Sequence, residues 1–313
     1  MKIFVTGATG VVGKRAVPLL IAQGHAVTAV ARASGKRGAL ERAGARAVTV
    51  DLFDRAALAN ALAGHDAIVN LATHMPATAT RMFLPGAWSE NDRIRRDASV
   101  ALVDAALNAG VKRFVQESFA PAYPDRGGDW IDETTPIAPA RYNRTIADAE
   151  ASAARFGAAG GAHVILRYAA FYGPDSRFFA EIVQGVRRGL ALIPGRADAF
   201  ISSLAHDDAA TATVAALGVP PGVYNVSDDE PVTHREFVDS LADALGVRHP
   251  RLPPAWMVAL GGSLARLAAR SLRISNRKLR AASGWMPAFP SVRAGWPSAV
   301  TRTGAARPAA ATP

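Results

Sequence analysis

Residues 1–13 read Met1-Lys2-Ile3-Phe4-Val5-Thr6-Gly7-Ala8-Thr9-Gly10-Val11-Val12-Gly13, an apolar strand running into three glycines, with a helical stretch directly after them. Strand, glycine turn and helix in that order are the context a dinucleotide-binding loop requires. Gly7 would allow the tight turn, Gly10 would let backbone approach a pyrophosphate, and Gly13 would let the first helix lie close on the first strand. The helix N-terminus then supplies the anion site. The expected cofactor loop is therefore Gly7, Thr9, Gly10, Val11, Val12 and Gly13, and the competing reading is a βα turn that is glycine-rich by chance.

Composition sets the outer limits. The chain has 313 residues, half of them hydrophobic, which mildly favours two lobes over one core. No stretch approaches the roughly 18 uninterrupted apolar residues of a membrane span, and the N-terminus enters a strand without a signal-peptide pattern. A cytoplasmic protein with no membrane partner is expected. The absence of cysteine excludes disulfides, thiolate metal sites and a cysteine nucleophile, and no metal site is expected. The net charge of +10 invites a nucleic-acid reading. The only dense basic run is Arg266, Arg270, Arg273, Arg277, Lys278 and Arg280; it has no interleaved aromatics and belongs to no nucleic-acid module. A solvated basic surface is favoured, with a small molecule as partner and a homodimer left open.

Strand and helix signals alternate through the first half, at Ile3–Thr6, Ala26–Ala31, Ala45–Val50, Ala67–Leu71, Arg113–Glu117 and His163–Arg167. That alternation predicts an α/β fold, a Rossmann-type doubly wound parallel sheet with a smaller C-terminal substrate lobe. Residues 1–170 would form the sheet domain and 171–299 the smaller lobe, parts of which could return to the sheet; 300–313 read as a disordered tail. Asp54 is a plausible N-cap, Gly24, Gly64 and Gly110 end helices, and Thr233 with Glu236 makes a capping box before the helix at 235–245. Pro18 inside the first helix predicts a bend.

The glycine spacing G-x-x-G-x-x-G resembles the short-chain dehydrogenase/reductase superfamily, and more narrowly its extended branch of NAD(P)-dependent epimerases and dehydratases. The resemblance runs over roughly residues 2–297. Asp51-Leu52 looks like the pair that contacts adenine, and Asn70-Leu71-Ala72-Thr73 like the fourth-strand cofactor motif. The run Leu166-Arg167-Tyr168-Ala169-Ala170-Phe171-Tyr172-Gly173-Pro174 is similar to the segment leading to nicotinamide and substrate, which implies Tyr168 and Ala169 at the cofactor and Phe171 at the substrate. His206-Asp207-Asp208 and Tyr224-Asn225-Val226-Ser227 look like landmarks of the substrate lobe. Asp207 and Asp208 fit helix N-terminal capping better than an acid/base or metal pair. The second strand ends in Arg32 where NAD-preferring relatives place an acidic residue, and Ser34, Lys36 and Arg37 follow. A guanidinium there suits a 2′-phosphate, so NADP(H) is favoured over NAD(H).

The catalytic set that the resemblance implies is incomplete. Members use Y-x-x-x-K on a helix, a tyrosine exchanging a proton with the substrate oxygen and a lysine one turn on. Here Tyr142 is present and Ile146 stands in place of the lysine. A tyrosine with no nearby cation should titrate near its reference value of about 10. Phe119 occupies the usual serine position with Ser118 just before it, leaving Ser118 as the candidate hydroxyl only if the strand end shifts. Arg95 lies in the helix where many relatives carry an active-site asparagine. His74, Arg95, Glu117 and Phe171 are candidate substrate contacts, and His74, Arg95 or Glu117 could assist Tyr142. Two readings remain: an oxidoreductase acting on a carbonyl or secondary alcohol through a modified proton relay, and a nucleotide-binding protein doing non-redox work.

Overall fold

The computed structural model describes every residue except Arg32, Ala33, Ala77, Ala79, Pro85, Leu192 and 304–313. In chain order the strands are β1 (Lys2–Thr6), β2 (Ala26–Val30), β3 (Arg46–Val48), β4 (Ala67–Asn70), β5 (Arg113–Phe119), β6 (Trp130–Ile131), β7 (Ala162–Tyr168), β8 (Ala170–Tyr172), β9 (Phe200–Ile201), β10 (Ser203–Ala205), β11 (Gly222–Val226), β12 (Val232–Thr233) and β13 (Arg273–Ile274). The helices are α1 (Gly13–Ala22), α2 (Ser34–Arg42), α3 (Arg55–Leu62), α4 (Ser89–Arg93), α5 (Ser99–Asn108), α6 (Ile146–Ala158), α7 (Arg177–Arg187), α8 (His206–Ala215), α9 (His234–Leu245), α10 (Gly262–Ala268), α11 (Arg277–Ser283) and α12 (Val292–Arg302).

Seven strands form one parallel sheet in the order β11-β7-β5-β4-β1-β2-β3. Both faces are covered, as a parallel sheet requires. Ile3, Val5, Val69, Val115 and Leu166 point to the α1 and α8 side, while Phe4, Ile68, Phe114 and Ile165 point to the side of α3, α5 and α6. The β1–β4 junction, where the strand order reverses, is the topological switch point, and its carboxyl edge is where ligands collect in such sheets.

The local signals largely hold. Asp54 accepts the Ala56 and Ala57 amides at 3.0 Å, Thr233 and Glu236 close the capping box of α9, and α1 runs through Pro18, whose ring is exposed. Part of the second half returns to the sheet at β11. This strand pairs with β7 in register from Gly222 opposite Val164 to Val226 opposite Tyr168, so Tyr224-Asn225-Val226 belongs to the main sheet. The smaller lobe has its own core around fully buried Trp296, which packs on Tyr172, Phe179 and Phe237 with ring centroids 4.7, 5.6 and 5.0 Å away. The expected tail also begins later than 300, because α12 continues to Arg302 and buries Val300 in that core. The rest of the tail lies outside the described residues.

The basic run is not one helix but α10, β13 and α11, and most of its cations are held by other parts of the chain. Arg270 donates to the Tyr123 carbonyl at 2.7 Å, Lys278 to the Val223 carbonyl at 2.8 Å, and Arg280 pairs with Asp229 at 2.8 Å. Arg273 lies over the Trp130 ring at 4.3 Å. These aromatic and acidic partners are distant in sequence, so the run itself could not reveal them.

Candidate active site

The glycine loop sits at the carboxyl end of β1. Gly7 takes φ +63°, and a Cβ there would run into the Leu71 carbonyl; a Cβ on Gly13 would meet the Gly7 carbonyl and the Ala8 backbone. Gly10, by contrast, is exposed, and its amide closes the turn on Gly7 O at 2.9 Å. No side chain caps the N-terminus of α1; the Lys14 and Arg15 amides already donate to Gly10 O and Val12 O at 3.1 and 3.0 Å, so an anion here would be met by the loop amides ahead of them. A cradle that a Cβ would fill, beside an uncapped helix, fits a dinucleotide pyrophosphate. Thr9 and Val11 are partly open here, whereas Val12 is buried and contributes backbone only.

Behind the loop, hydrogen bonds cross three strand ends. The Thr6 hydroxyl donates to Asn70 Oδ1 (2.5 Å), Asn70 Nδ2 to Gln116 Oε1 (2.9 Å), and Gln116 Nε2 to the Glu117 carbonyl (2.8 Å). Beyond Leu71, Ala72 and Thr73 at the end of β4, the His74 amide donates to Asn91 Oδ1 at 3.0 Å. Asn91, on α4, is fully buried and its Nδ2 has no partner. This helical stretch therefore does carry a buried asparagine, one turn before Arg95. Gln116 and Asn91 were missed in the sequence. A polar residue closing an apolar strand would have flagged Gln116, but nothing separates Asn91 from the polar residues around it.

Arg95 lies on a π-helical turn, Ile94–Ala98, between α4 and α5, a distortion that recurs at functional sites. Its Nη2 is 2.9 Å from Glu117 Oε1; the two side chains are only 5% and 13% exposed, and Arg95 Nε and Glu117 Oε2 find no partner among the described residues. Tyr142 belongs to a 3₁₀ turn, Arg141–Asn143, and α6 begins only at Ile146. The shared helix face expected for Tyr142 and Ile146 is thus absent: Ile146 is buried in the core, and Tyr142 lines a cleft of about 590 Å³ with Trp88, its ring centroid 4.7 Å from the Trp88 ring. Burial pushes the Tyr142 phenol up to about 12, against the opposing charges of Arg95 and Arg270. The sequence argument from a missing lysine alone had left it near 10. A neighbouring cleft of about 520 Å³, lined by His74, shares Leu84 and Gly86 with the first.

Other sequence candidates go elsewhere. Ser118 points to the opposite side of its strand from its neighbours and donates to Glu150 Oε1 at 2.6 Å, within a buried network in which Arg167 grips both Glu150 oxygens and the Tyr123 hydroxyl. In this structure its hydroxyl is taken up by that network and not by Tyr142. Tyr168 is buried with its hydroxyl on Thr213 (2.7 Å), and Ala169 is buried too, so neither offers a side chain to a cofactor. Phe171 is partly exposed and packs on His206 at 5.8 Å. Asp51 is exposed and accepts the Phe53 amide at 3.0 Å, with Leu52 half-buried beside it. Asp207 and Asp208 do not cap their own helix. Asp207 pairs with Arg15 and Arg302, and Asp208 accepts the Ala288 and Phe289 amides at 2.8 and 3.2 Å. Arg32 lies outside the described residues. Lys36 and Arg37 sit on α2 rather than in a loop, and Arg37 is taken up by Glu41 and the Ala47 carbonyl, each at 2.9 Å.

Comparison with known proteins agrees with this geometry. A family model described as NAD(P)H-binding matches residues 7–183. The chain is 32% identical to a Streptomyces 3-diazoavenalumate denitrifying reductase over 94% of its own length and 99% of the relative's. It is 28% identical to a 3β-hydroxysteroid dehydrogenase/Δ5→4-isomerase of Mycobacterium tuberculosis, covering 80% of this chain and 71% of that one. Among solved structures, a human epimerase family protein with NADPH superposes with a TM-score of 0.81 at 24% identity, covering 96% and 99% of the two chains. The Thermus thermophilus UDP-glucose 4-epimerase with NAD gives 0.77 at 25% identity, covering 97% and 99%. No helix among the described residues is long and apolar enough to cross a membrane. With the glycine cradle, the seven-stranded parallel sheet and these matches in agreement, the chain belongs to the NAD(P)-binding extended short-chain dehydrogenase/reductase family.

Proposed function

We propose that the protein is an NADP(H)-dependent reductase of a small-molecule carbonyl in which Tyr142 is the proton donor and Arg95 replaces, in space, the cation missing at Ile146. The observation that carries this reading is the placement of Tyr142, a phenol held neutral by burial, in a cleft and within range of the charge of buried Arg95, which pairs with Glu117. NADPH held by the Gly7–Gly13 loop would supply the hydride. Tyr142 gives its proton to the carbonyl oxygen as negative charge grows there, and solvent later reprotonates the phenolate. A neutral phenol is the form reduction needs, whereas oxidation would need the phenolate, so a pKa of about 12 biases the site towards reduction. Arg95 would stabilise the phenolate left behind, with Glu117 fixing the guanidinium in place.

The relatives support the reductase class. One at 32% identity is named a reductase, and others at 26% and 28% a ketoreductase and a 2-alkyl-3-oxoalkanoate reductase. Their named substrates differ, so none is carried across. The NADP preference rests on Arg32 and on the lack of an acidic residue at the end of β2. Calorimetric titration with NADPH and NADH, followed by NADPH oxidation over a panel of ketones and aldehydes, tests the reading. Tighter NADPH binding by about tenfold or more, with turnover, is expected from one charge-assisted contact. Tight NADPH binding without turnover on any carbonyl would favour a nucleotide-binding protein with a non-redox role.

A further inference from the structure

Two arginines line the Tyr142 cleft. Arg141 opens the 3₁₀ turn that carries Tyr142 and Arg144 follows it; both are exposed, both line the cleft, and neither makes a salt bridge among the described residues. Many arginines of this chain, by contrast, are paired, among them Arg15, Arg55, Arg155, Arg235 and Arg280. Asp92, the acid among the described residues that line the cleft, accepts the Thr145 hydroxyl on Oδ1 at 2.7 Å. The 13-residue helix α6 begins beside Arg144 without a side-chain cap, with Asp148 in its first turn.

Apolar side chains line the same cleft. The Trp88 ring is pinned by its Nε1, which donates to the Met82 carbonyl at 2.9 Å, and Leu84 and Leu264 flank it. We propose that the cleft takes its substrate as a planar aromatic carboxylate, the ring against Trp88 and the carboxylate on Arg141 and Arg144. The guanidinium fork matches a carboxylate in two hydrogen bonds. The inference rests on the reductase reading for the placement of the reacting carbonyl near Tyr142, and it names the class of molecule that carries that carbonyl.

The test is calorimetric binding of 2-naphthoate and of its neutral isostere 2-naphthamide, with and without saturating NADPH, to the parent protein and to Arg141→Gln, Arg144→Gln and the double variant. The carboxylate should bind about tenfold or more tightly than the amide in the parent. The double variant should lose that preference while its affinity for the amide and for NADPH stays at the parent value, which also certifies its fold. Equal binding of acid and amide by the parent, no binding of either, or a preference that survives in the double variant would overturn the proposal. Because the acid–amide comparison is read as binding and also without NADPH, a protein that never turns over a carbonyl would fail the reductase reading without deciding this one.

Discussion

Arg95 and Glu117 form an ion pair at 2.9 Å with both side chains almost out of solvent, one from a π-helical turn and the other from the carboxyl end of β5. Two polar atoms of this pair, Arg95 Nε and Glu117 Oε2, find no partner among the described residues. A buried pair of this kind adds little net stability by comparison with an apolar pair of the same shape, yet losing one partner strands the other charge. On the proposed reading, the pair fixes a cation within range of the charge on Tyr142.

Arg95→Met should therefore destabilise the protein by about 3–5 kcal/mol, because Glu117 is left buried and unpaired. Adding Glu117→Leu should recover most of that loss in urea unfolding. Turnover should not recover in the double variant, since the cation beside Tyr142 is still missing. Recovery of both stability and turnover would assign the pair a structural role alone.

The glycine loop separates folding from cofactor binding. In Gly13→Ala the new methyl meets the Gly7 carbonyl and Ala8 backbone, which cannot yield, so a stability loss of about 1–3 kcal/mol or more is expected. The Cβ in Gly10→Ala meets only Gly7 O, at 3.2 Å, so the melting temperature should stay near the parent value. NADPH affinity should nonetheless fall, because the methyl occupies the approach of the pyrophosphate. Thermal melts with and without NADPH read both effects.

Restoring the missing lysine should fail. Ile146 is 1% exposed in the first turn of α6, so Ile146→Lys buries an ammonium group without a partner. Lower stability is expected, with no gain of alcohol oxidation at neutral pH. A stable variant that oxidises alcohols faster than the parent would show that the helix can turn this position into the cleft.

Burial pulls His206 and His234 down to about 4, with Arg15 also opposing protonation of His206. Each is neutral in the fold and more basic when unfolded. The stability they contribute is complete above the unfolded value of about 6.5 and is lost as pH falls through about 4. His234 is 1% exposed and its Nδ1 has no partner, so His234→Leu should be near neutral at pH 8 and stabilising at pH 5. Urea midpoints at the two pH values check this, and a gain that does not grow at pH 5 would contradict it.

The sheet was legible because its residues obey local rules. The β1 run, the Gly7 turn and the Asp54 and Thr233 caps act within a few residues of themselves. What escaped was set by distant partners. Ser118 is claimed by Glu150, thirty-two residues on, and Arg270 reaches the Tyr123 carbonyl across 147 residues. Tyr142 could be picked out by its motif, but not its turn conformation, since α6 starts only where Thr145 turns its hydroxyl to Asp92. Trp88 carried no signal until folding set it against Tyr142.

The most direct test of the account is the pH dependence of NADPH oxidation with an accepted carbonyl substrate, compared between the parent and Tyr142→Phe. General acid catalysis by Tyr142 predicts a loss of roughly 10²–10⁴-fold in kcat in the variant, with unchanged NADPH affinity. With the phenol at about 12, the parent should lose no turnover to Tyr142 ionisation below about pH 10. Turnover in Tyr142→Phe equal to that of the parent would contradict the account and leave Tyr142 as a wall of the cleft.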